Sequence, residues 1–405
     1  MQDGEREVTG GVDTHRDQHL AAVVDQAGRI LGTEAFSATP AGYWQLLRWM
    51  RRQGQLVKVG VEGTGSYGAG LARYLAGEGV VVVEVNRPNR QVRRRRGKSD
   101  PTDAEAAARA ALNGEADGVP KTADGAAEAL RALRVARRSA VKARTQAANQ
   151  IRDLIVTAPQ ELRARLGHLD TDQRVAVCSR FRPAAATDPV EATRRSLRCL
   201  ARRHVDLSGE IDELDTAISA LCAQANPALL SARGLGPDTA SALIVAAGDN
   251  PERMRSEASF AALCGASPVE ASSGRTIRHR LNRGGNREAN HALWRIVMVR
   301  LSHDKTTQAY AQRRRAEGRS DKEIIRCLKR YIAREIYRLL TNPPAIPAGA
   351  ALRQRRQQAG LPLRVIAEAI SSWPTRISEL ERGLKYDADL ATRYSLWLDH
   401  QGAPA

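Results

Sequence analysis

Four carboxylates carry the clearest chemical signal in the chain: Asp13 in GGVDTH, Glu62 in VGVEGTG, and Asp100 and Asp103 in KSDPTDAEAAAR. Acids gathered in this number suit phosphodiester chemistry. Hard divalent cations prefer oxygen ligands, and Mg2+ takes only one or two protein carboxylates per ion, completing its shell with waters and phosphate oxygens. Four acids can hold two ions. A pair roughly 3.5–4 Å apart would activate an attacking oxygen on one side and stabilise a leaving oxygen on the other. Mg2+ is therefore the expected ion, with Mn2+ as its substitute.

Each acid also has a plainer reading. Asp100, Pro101 and Asp103 spell a helix start, with Asp100 as N-cap, Pro101 at the first helical position and Asp103 in the favourable first turn. Asp13 and Glu62 resist that explanation, because both stand beside apolar strand positions where an unpaired charge is expensive. Capping accounts for two of the acids; a shared site accounts for all of them.

The elements that must hold these acids follow from periodicity. Residues 9–14, 19–24 and 30–36 predict a three-stranded meander, with a turn at 25–28. An amphipathic helix opened by Pro40 runs to about 52, a strand at 57–61 ends on Glu62, and 67–76 predicts a helix before a strand at 80–85. Three strands followed by alternating helix and strand fit the ribonuclease H architecture. Asp13 then lies on the first, central strand and Glu62 at the carboxyl end of its neighbour, where open α/β sheets hold ligands.

The rest of the chain bounds the partner. Lys plus Arg number 63 against 45 Asp plus Glu, a formal charge of +18 in 405 residues, so polyanions are the natural ligand class. Arg93, Arg94, Arg95, Arg96 and Lys98 form the densest run, just before Asp100 and extended by Arg87 and Arg90. Like charges this close repel unless an anion joins them, which favours nucleic acid over a merely solvated face. No apolar run approaches the ~18 residues of a membrane span, and the polar start lacks a signal peptide, so a cytoplasmic protein with no membrane partner is expected. Five scattered cysteines without paired spacing predict reduced, structural thiols.

Residues 123–225 read as helical. Leu200, His204, Leu207, Ile211, Leu214, Ile218 and Leu221 alternate steps of four and three, a seam that supercoils against a partner helix. Leu130, Leu133, Ala140, Ala147, Ile151 and Leu154 make a weaker stripe interrupted by Arg137 and Arg144. An antiparallel hairpin and an intermolecular coil both fit. His204 reads as a register-setting polar residue of the seam rather than a ligand.

Farther on, Gly234-Leu235-Gly236 fits either a helix-hairpin-helix whose amides approach phosphate or an ordinary tight connection. Ser272-Ser273-Gly274 stands among Arg275, Arg278, Arg280 and Arg283. A serine there could meet a phosphate, although Ser-Ser-Gly is equally a turn composition and arginines are often solvated. After a linker at 343–350, residues 351–400 resemble a phage-repressor helix-turn-helix, with Thr375, Arg376 and Ser378 at the leading turns of its third helix.

The order GVDTH, VGVEGTGSY, Asn-Arg-Pro and KSDPTDA, then a coiled-coil stretch and GASPVEASSG with RGGN, resembles the DEDD-type insertion-sequence transposases, relatives of the Piv-type DNA invertases. The resemblance covers about residues 10–340. It implies an α/β plus all-α protein: a resolvase-type ribonuclease H-like domain at 1–122, a helical coiled-coil region at 123–225, a mainly helical, serine-bearing second catalytic domain at 226–342, and the small helix-turn-helix tail. It implies a recombinase acting on element ends and target DNA, directed by a structured guide RNA. It also implies the four acids as metal ligands, Ser273 as a nucleophile forming a phosphoserine intermediate, and a dimer or tetramer joined through the coiled coil. A junction-resolving nuclease would need the acids but not Ser273; a nonenzymatic DNA-binding regulator would need neither.

Overall fold

The computed structural model describes residues 6–85, 100–185, 188–270, 272–274, 279–280, 282, 284–385 and 387–401, with Asp100, His279 and Gln401 described by backbone alone. The chain is mixed α/β and mainly helical. It divides into two compact units, 1–124 with 248–255, and 125–247 with 256–405.

The first unit is a five-stranded sheet in the order β3-β2-β1-β4-β5, built from β1 (Glu7–Thr14), β2 (Gln18–Asp25), β3 (Ile30–Ser37), β4 (Gln55–Glu62) and β5 (Val81–Val85). β1 pairs antiparallel with β2, and β2 with β3, while β4 and β5 run parallel to β1. Seven consecutive residues of β1 are buried, as a strand covered on both faces requires, whereas the edge strand β3 is mostly exposed. Helix α1 (Pro40–Arg52) begins where the Thr39 hydroxyl accepts from the Gly42 amide, with Pro40 at the first position. It presents Leu46, Leu47 and Met50 to the sheet, joined by Leu71 and Leu75 of α2 (Ala69–Gly77).

The other face is covered by α3 (Asp100–Leu112). Adjacent strand residues point to opposite faces, and two adjacent glycines of β1 show which helix each face meets. A Cβ on Gly10 would lie 2.7 Å from the Met50 sulfur, and one on Gly11 would lie 2.1 Å from the Ala108 amide nitrogen. The sheet is thus the middle of three layers.

The second unit is organised around α4 (Ala126–Val156) and a later helix of 37 residues, with α5 (Gln160–Leu166) and α6 (Thr171–Ser179) between them; the long helix is α7 (Pro189–Ala225). Arg137 binds Asp215, Arg144 reaches Ser208, and Ile151 and Ile155 pack with Leu197 and Ala201. Rising numbers on one helix meet falling numbers on the other, so the two form an antiparallel hairpin within one chain. The seam differs from the one expected. Leu197, Ala201, Ile211, Ile218 and Cys222 are buried, while Leu200, Leu207, Leu214 and Leu221 are only half-buried along its margin. The stripe keeps His204, Ile211 and Ile218 but is otherwise rotated by one residue, because the arginines that interrupt α4 need polar rungs opposite them, and Ser208 and Asp215 supply those.

Beyond the hairpin come α8 (Pro227–Ser231), α9 (Pro237–Ala247), α10 (Glu257–Leu263), the two-residue strands β6 (Val269–Glu270) and β7 (His279–Arg280), α11 (Arg287–His303), α12 (Lys305–Ala316) and α13 (Asp321–Thr341). α9 is almost wholly buried, so it forms the core about which this part packs. The tail comprises α14 (Gly349–Gln358), α15 (Leu363–Ala369), α16 (Pro374–Glu381) and α17 (Ala388–Gln401) around Leu352, Ile366, Ile377 and Tyr394. Inside it the Arg356 guanidinium meets Glu381 at 2.7 and 2.9 Å, and the Tyr394 hydroxyl donates to Glu381 at 2.8 Å. Among the described residues no helix is long and apolar enough to cross a membrane.

Candidate active site

Parallel pairing sets Val12 opposite Val61, so Asp13 and Glu62 form the next rung at the carboxyl ends of β1 and β4. Paired residues of a parallel ladder share a face, and residues two apart along a strand do as well. Gly11 therefore faces the same way as Asp13, and Gly60 the same way as Glu62. Both glycines lie against α3: a Cβ on Gly11 would come 2.4 Å from the Ala104 carbonyl oxygen, and one on Gly60 would come 2.7 Å from that of Ala107. The missing methyl groups let α3 rest directly on the strand backbones. Asp103 precedes Ala107 by one turn and so shares its sheet-facing side. Asp103 is 6 % exposed and Asp13 7 %, with Glu62 half-buried.

The rung is tied at its end. The Thr14 hydroxyl donates to the Glu62 carbonyl at 2.8 Å, and the chain turns away through Gly63, whose φ of +74° suits glycine. His15, which motif reading passed over, holds its Nε2 3.2 Å from an Asp13 carboxylate oxygen. The two-residue spacing Asp-Thr-His was the available signal, since it brings both side chains to one face. Glu62 and Asp103 are also engaged by neighbours.

Carboxylates alone, two of them buried on rigid elements, fit a hard divalent cation by donor type. Among the described residues no three His, Cys, Asp or Glu side chains are grouped to hold a metal. The fourth expected acid, Asp100, begins α3, and its side chain lies outside the described residues. The Arg93–Arg96 run and Lys98 lie outside them too, as do Arg275, Arg278 and Arg283.

In the second unit β6 and β7 pair antiparallel, Val269 with Arg280 and Glu270 with His279, which sets Ser272-Ser273-Gly274 in the loop joining them. Ser272, Ser273 and Gly274 are exposed, and Gly274 adopts a φ of +55°. Ser272 is engaged, whereas the Ser273 hydroxyl has no hydrogen-bond partner among the described residues. Beneath the hairpin the Gly-Gly-Asn turn has a structural task. A Cβ on Gly285 would lie 2.6 Å from the Leu263 carbonyl oxygen, and the Asn286 amide donates to that same oxygen at 2.6 Å. Asn286 also caps α11.

The Gly234-Leu235-Gly236 segment joins α8 to α9, with Gly234 at a φ of +79°. Its Leu235 amide donates to Ala232 and its Gly236 amide to the Thr239 hydroxyl, so both amides are already taken. In the tail, Thr375 and Arg376 are exposed at the start of α16 and Ser378 is half-buried. Arg376 binds Asp387 at 2.9 Å and, with Leu235 and Pro237, lines a cavity of about 260 Å³.

Comparison with known proteins gives two family matches: residues 10–158 match the DEDD transposase model of the IS110 family, and residues 226–312 match the model of the transposase IS116/IS110/IS902 family. The insertion element IS110 uncharacterized 43.6 kDa protein of Streptomyces coelicolor is 29% identical over 132 residues, which is 31% of this chain and 32% of that relative's length.

Proposed function

We propose, from a chain that carries two transposase domains of the IS110 family, that this protein is a metal-dependent DNA transposase that cuts and rejoins the ends of its element. The observation that carries the reading is the rung of Asp13 and Glu62 beneath a helix that turns Asp103 to the same face. The strand order β3-β2-β1-β4-β5, three antiparallel strands and then two parallel ones, supports a ribonuclease H-like domain.

In this reading Asp13, Glu62, Asp100 and Asp103 hold Mg2+ or Mn2+. A divalent cation, when bound, supplies the positive charge that a phosphodiester needs while it is attacked. Asp13 and Asp103 keep their carboxylates fixed by burial on a strand and a helix, and His15 orients Asp13 from outside the site.

Ser273 is the nucleophile. Its hydroxyl loses a proton and attacks phosphorus; a serine ester forms as one phosphodiester bond breaks, and the leaving DNA hydroxyl takes a proton. A second DNA hydroxyl then attacks the phosphoserine, which restores the serine and forms a new phosphodiester. One ester bond is made for each one broken, so rejoining needs no nucleoside triphosphate. That no described residue bonds the exposed Ser273 hydroxyl supports it over its engaged neighbour Ser272. A structured guide RNA belongs to the same proposal, supported by the formal charge of +18, as does a homo-oligomer. The α4–α7 seam is already filled within the chain, so the half-buried leucines along its margin are the better candidates for joining copies.

The test is strand transfer on DNA carrying the element's ends. Activity should require a divalent cation and fail in Asp13→Asn, Glu62→Gln and Asp103→Asn. Activity retained in those variants would remove the acids from the site.

A further inference from the structure

Helix α13 turns a row of cations and one tyrosine toward the turn that precedes β6. Arg326, Arg330 and Arg334 recur every fourth residue and so share a face, with Tyr331 beside them. With the Gly265–Pro268 turn they line a cavity of about 650 Å³, whose walls also receive Arg280 from β7, Arg314 and Arg319. That volume lies within the ~300–1,000 Å³ typical of ligand sites. Among the described residues a single acid, Glu323, lines it against these arginines.

The cavity is built rather than incidental. Lys329, 9 % exposed, donates through Nζ to Asn290 at 2.6 Å, and the Asn290 amide holds the carbonyls of Cys264 and Gly265 at 2.8 and 3.1 Å. The turn is thereby fixed against α13. Arg334 is neutralised by Glu257 at 2.9 Å, whereas Arg326 is exposed and pairs with no carboxylate among the described residues. Tyr331 is 53% exposed, and its ring is braced edge-on by Tyr310 at 5.7 Å. Arg314 and Arg319 pair with Glu317 and Glu323, which leaves an aromatic ring held open beside Arg280, Arg326 and Arg330, guanidinium groups that pair with no carboxylate among the described residues. That composition binds unpaired nucleotides, the ring stacking on a base while the cations follow the backbone. A continuous duplex offers no base face to such a ring, because its bases stack on one another.

We infer that this cavity binds an unpaired nucleotide, its base stacked on Tyr331 and its flanking phosphates held by Arg280, Arg326 and Arg330. The inference rests on the reading of the chain as an enzyme of nucleic acid but on no particular nucleophile. It deepens that reading by giving the strand beside the serine hairpin a single-stranded form. Unpaired DNA and unpaired RNA share the chemistry.

Photo-crosslinking of the full chain tests it, using 5-iodouracil oligonucleotides as single-stranded DNA, single-stranded RNA and blunt duplex of one sequence, in EDTA. The adduct should map to the Tyr331 peptide with a single strand and not with the duplex; the better-crosslinked strand identifies the source. Tyr331→Phe should keep the adduct. Tyr331→Leu should lose it and weaken single-strand binding on the order of tenfold. Arg326→Ala should make the slope of log affinity against log salt shallower by about 0.7, the share of a single phosphate. Adducts confined to other peptides, or equal crosslinking by duplex, would overturn the inference, as would wild-type binding by Tyr331→Leu. If Tyr331→Leu fails to fold, the wild-type adduct map and the Phe variant decide. Because no divalent cation is present, the outcome is separate from strand transfer: lost transposition with the adduct intact would sink the catalytic reading alone.

Discussion

The acids and the serine are mounted in opposite ways. Asp13 and Asp103 are buried on a central strand and on a helix pressed against it, so their positions are set by the same packing that makes the sheet. Ser273 stands exposed in a hairpin loop. Cation ligands need fixed separations, because the ion demands near-ideal geometry. A nucleophile that must leave with its phosphate and return gains from a free loop. Changes near the acids should therefore cost stability and activity together, while changes at the serine should separate the two.

The largest expected effect is on strand transfer. Asp13→Asn and Ser273→Ala should each lower it by at least about a hundredfold. Thermal melting should tell them apart: Ser273→Ala should melt as the wild type does, and a large loss of stability there would break the contrast.

Gly11→Ala strikes the packing beneath the acids. Its methyl group would stand 2.1 Å from the Ala108 nitrogen, so α3 must lift, at a cost of about 1–3 kcal/mol. Since α3 carries Asp103, strand transfer should fall as well, measurable beside a urea titration of the same protein. Unaltered activity in a destabilised protein would mean that the position of α3 does not govern the site.

Gly285→Ala applies a comparable insult below the serine hairpin. The residue holds φ at +84° and its Cβ would meet the Leu263 carbonyl, so a cost of about 1–3 kcal/mol is expected. Activity measured at a temperature where the variant is still folded should fall less than in Gly11→Ala. An equal or larger fall would show that the hairpin is as tightly positioned as the acids.

The smallest effect is one of pH. His19 is buried on β2 and stacked on Tyr43, and burial, reinforced by nearby His15, holds its pKa below the ordinary 6.5. The unfolded chain therefore takes up a proton below pH 6.5 that the folded unit resists. Stability is fully present above 6.5 and declines as pH falls toward the folded value. His19→Phe should flatten that decline in melting temperature between pH 7 and 5; an unchanged slope would assign it to other groups.

How much of this was legible beforehand follows from the range of the interactions involved. The meander and the strand ending on Glu62 were readable because alternation and turn residues are local signals. The approach of α3 onto Gly11 and Gly60 was not, since a glycine inside a strand gives no hint of which backbone will press against it. The α7 seam was misread by one residue because the leucines suggested an apolar register, while Arg137 and Arg144 on the opposing helix select Asp215 and Ser208. Gly234-Leu235-Gly236 left two readings open, since the letters do not reveal that Thr239 takes the Gly236 amide. The cavity on α13 went unread because its lining comes from four separate segments.

The division between mounted acids and an exposed serine is tested most directly by denaturing the protein after incubation with Mg2+ and end-labelled DNA carrying the element's junction. The wild type and Ser272→Ala should retain label covalently on the polypeptide, and Ser273→Ala should retain none. Strand transfer persisting in Ser273→Ala, or an adduct that survives its substitution, would contradict the account.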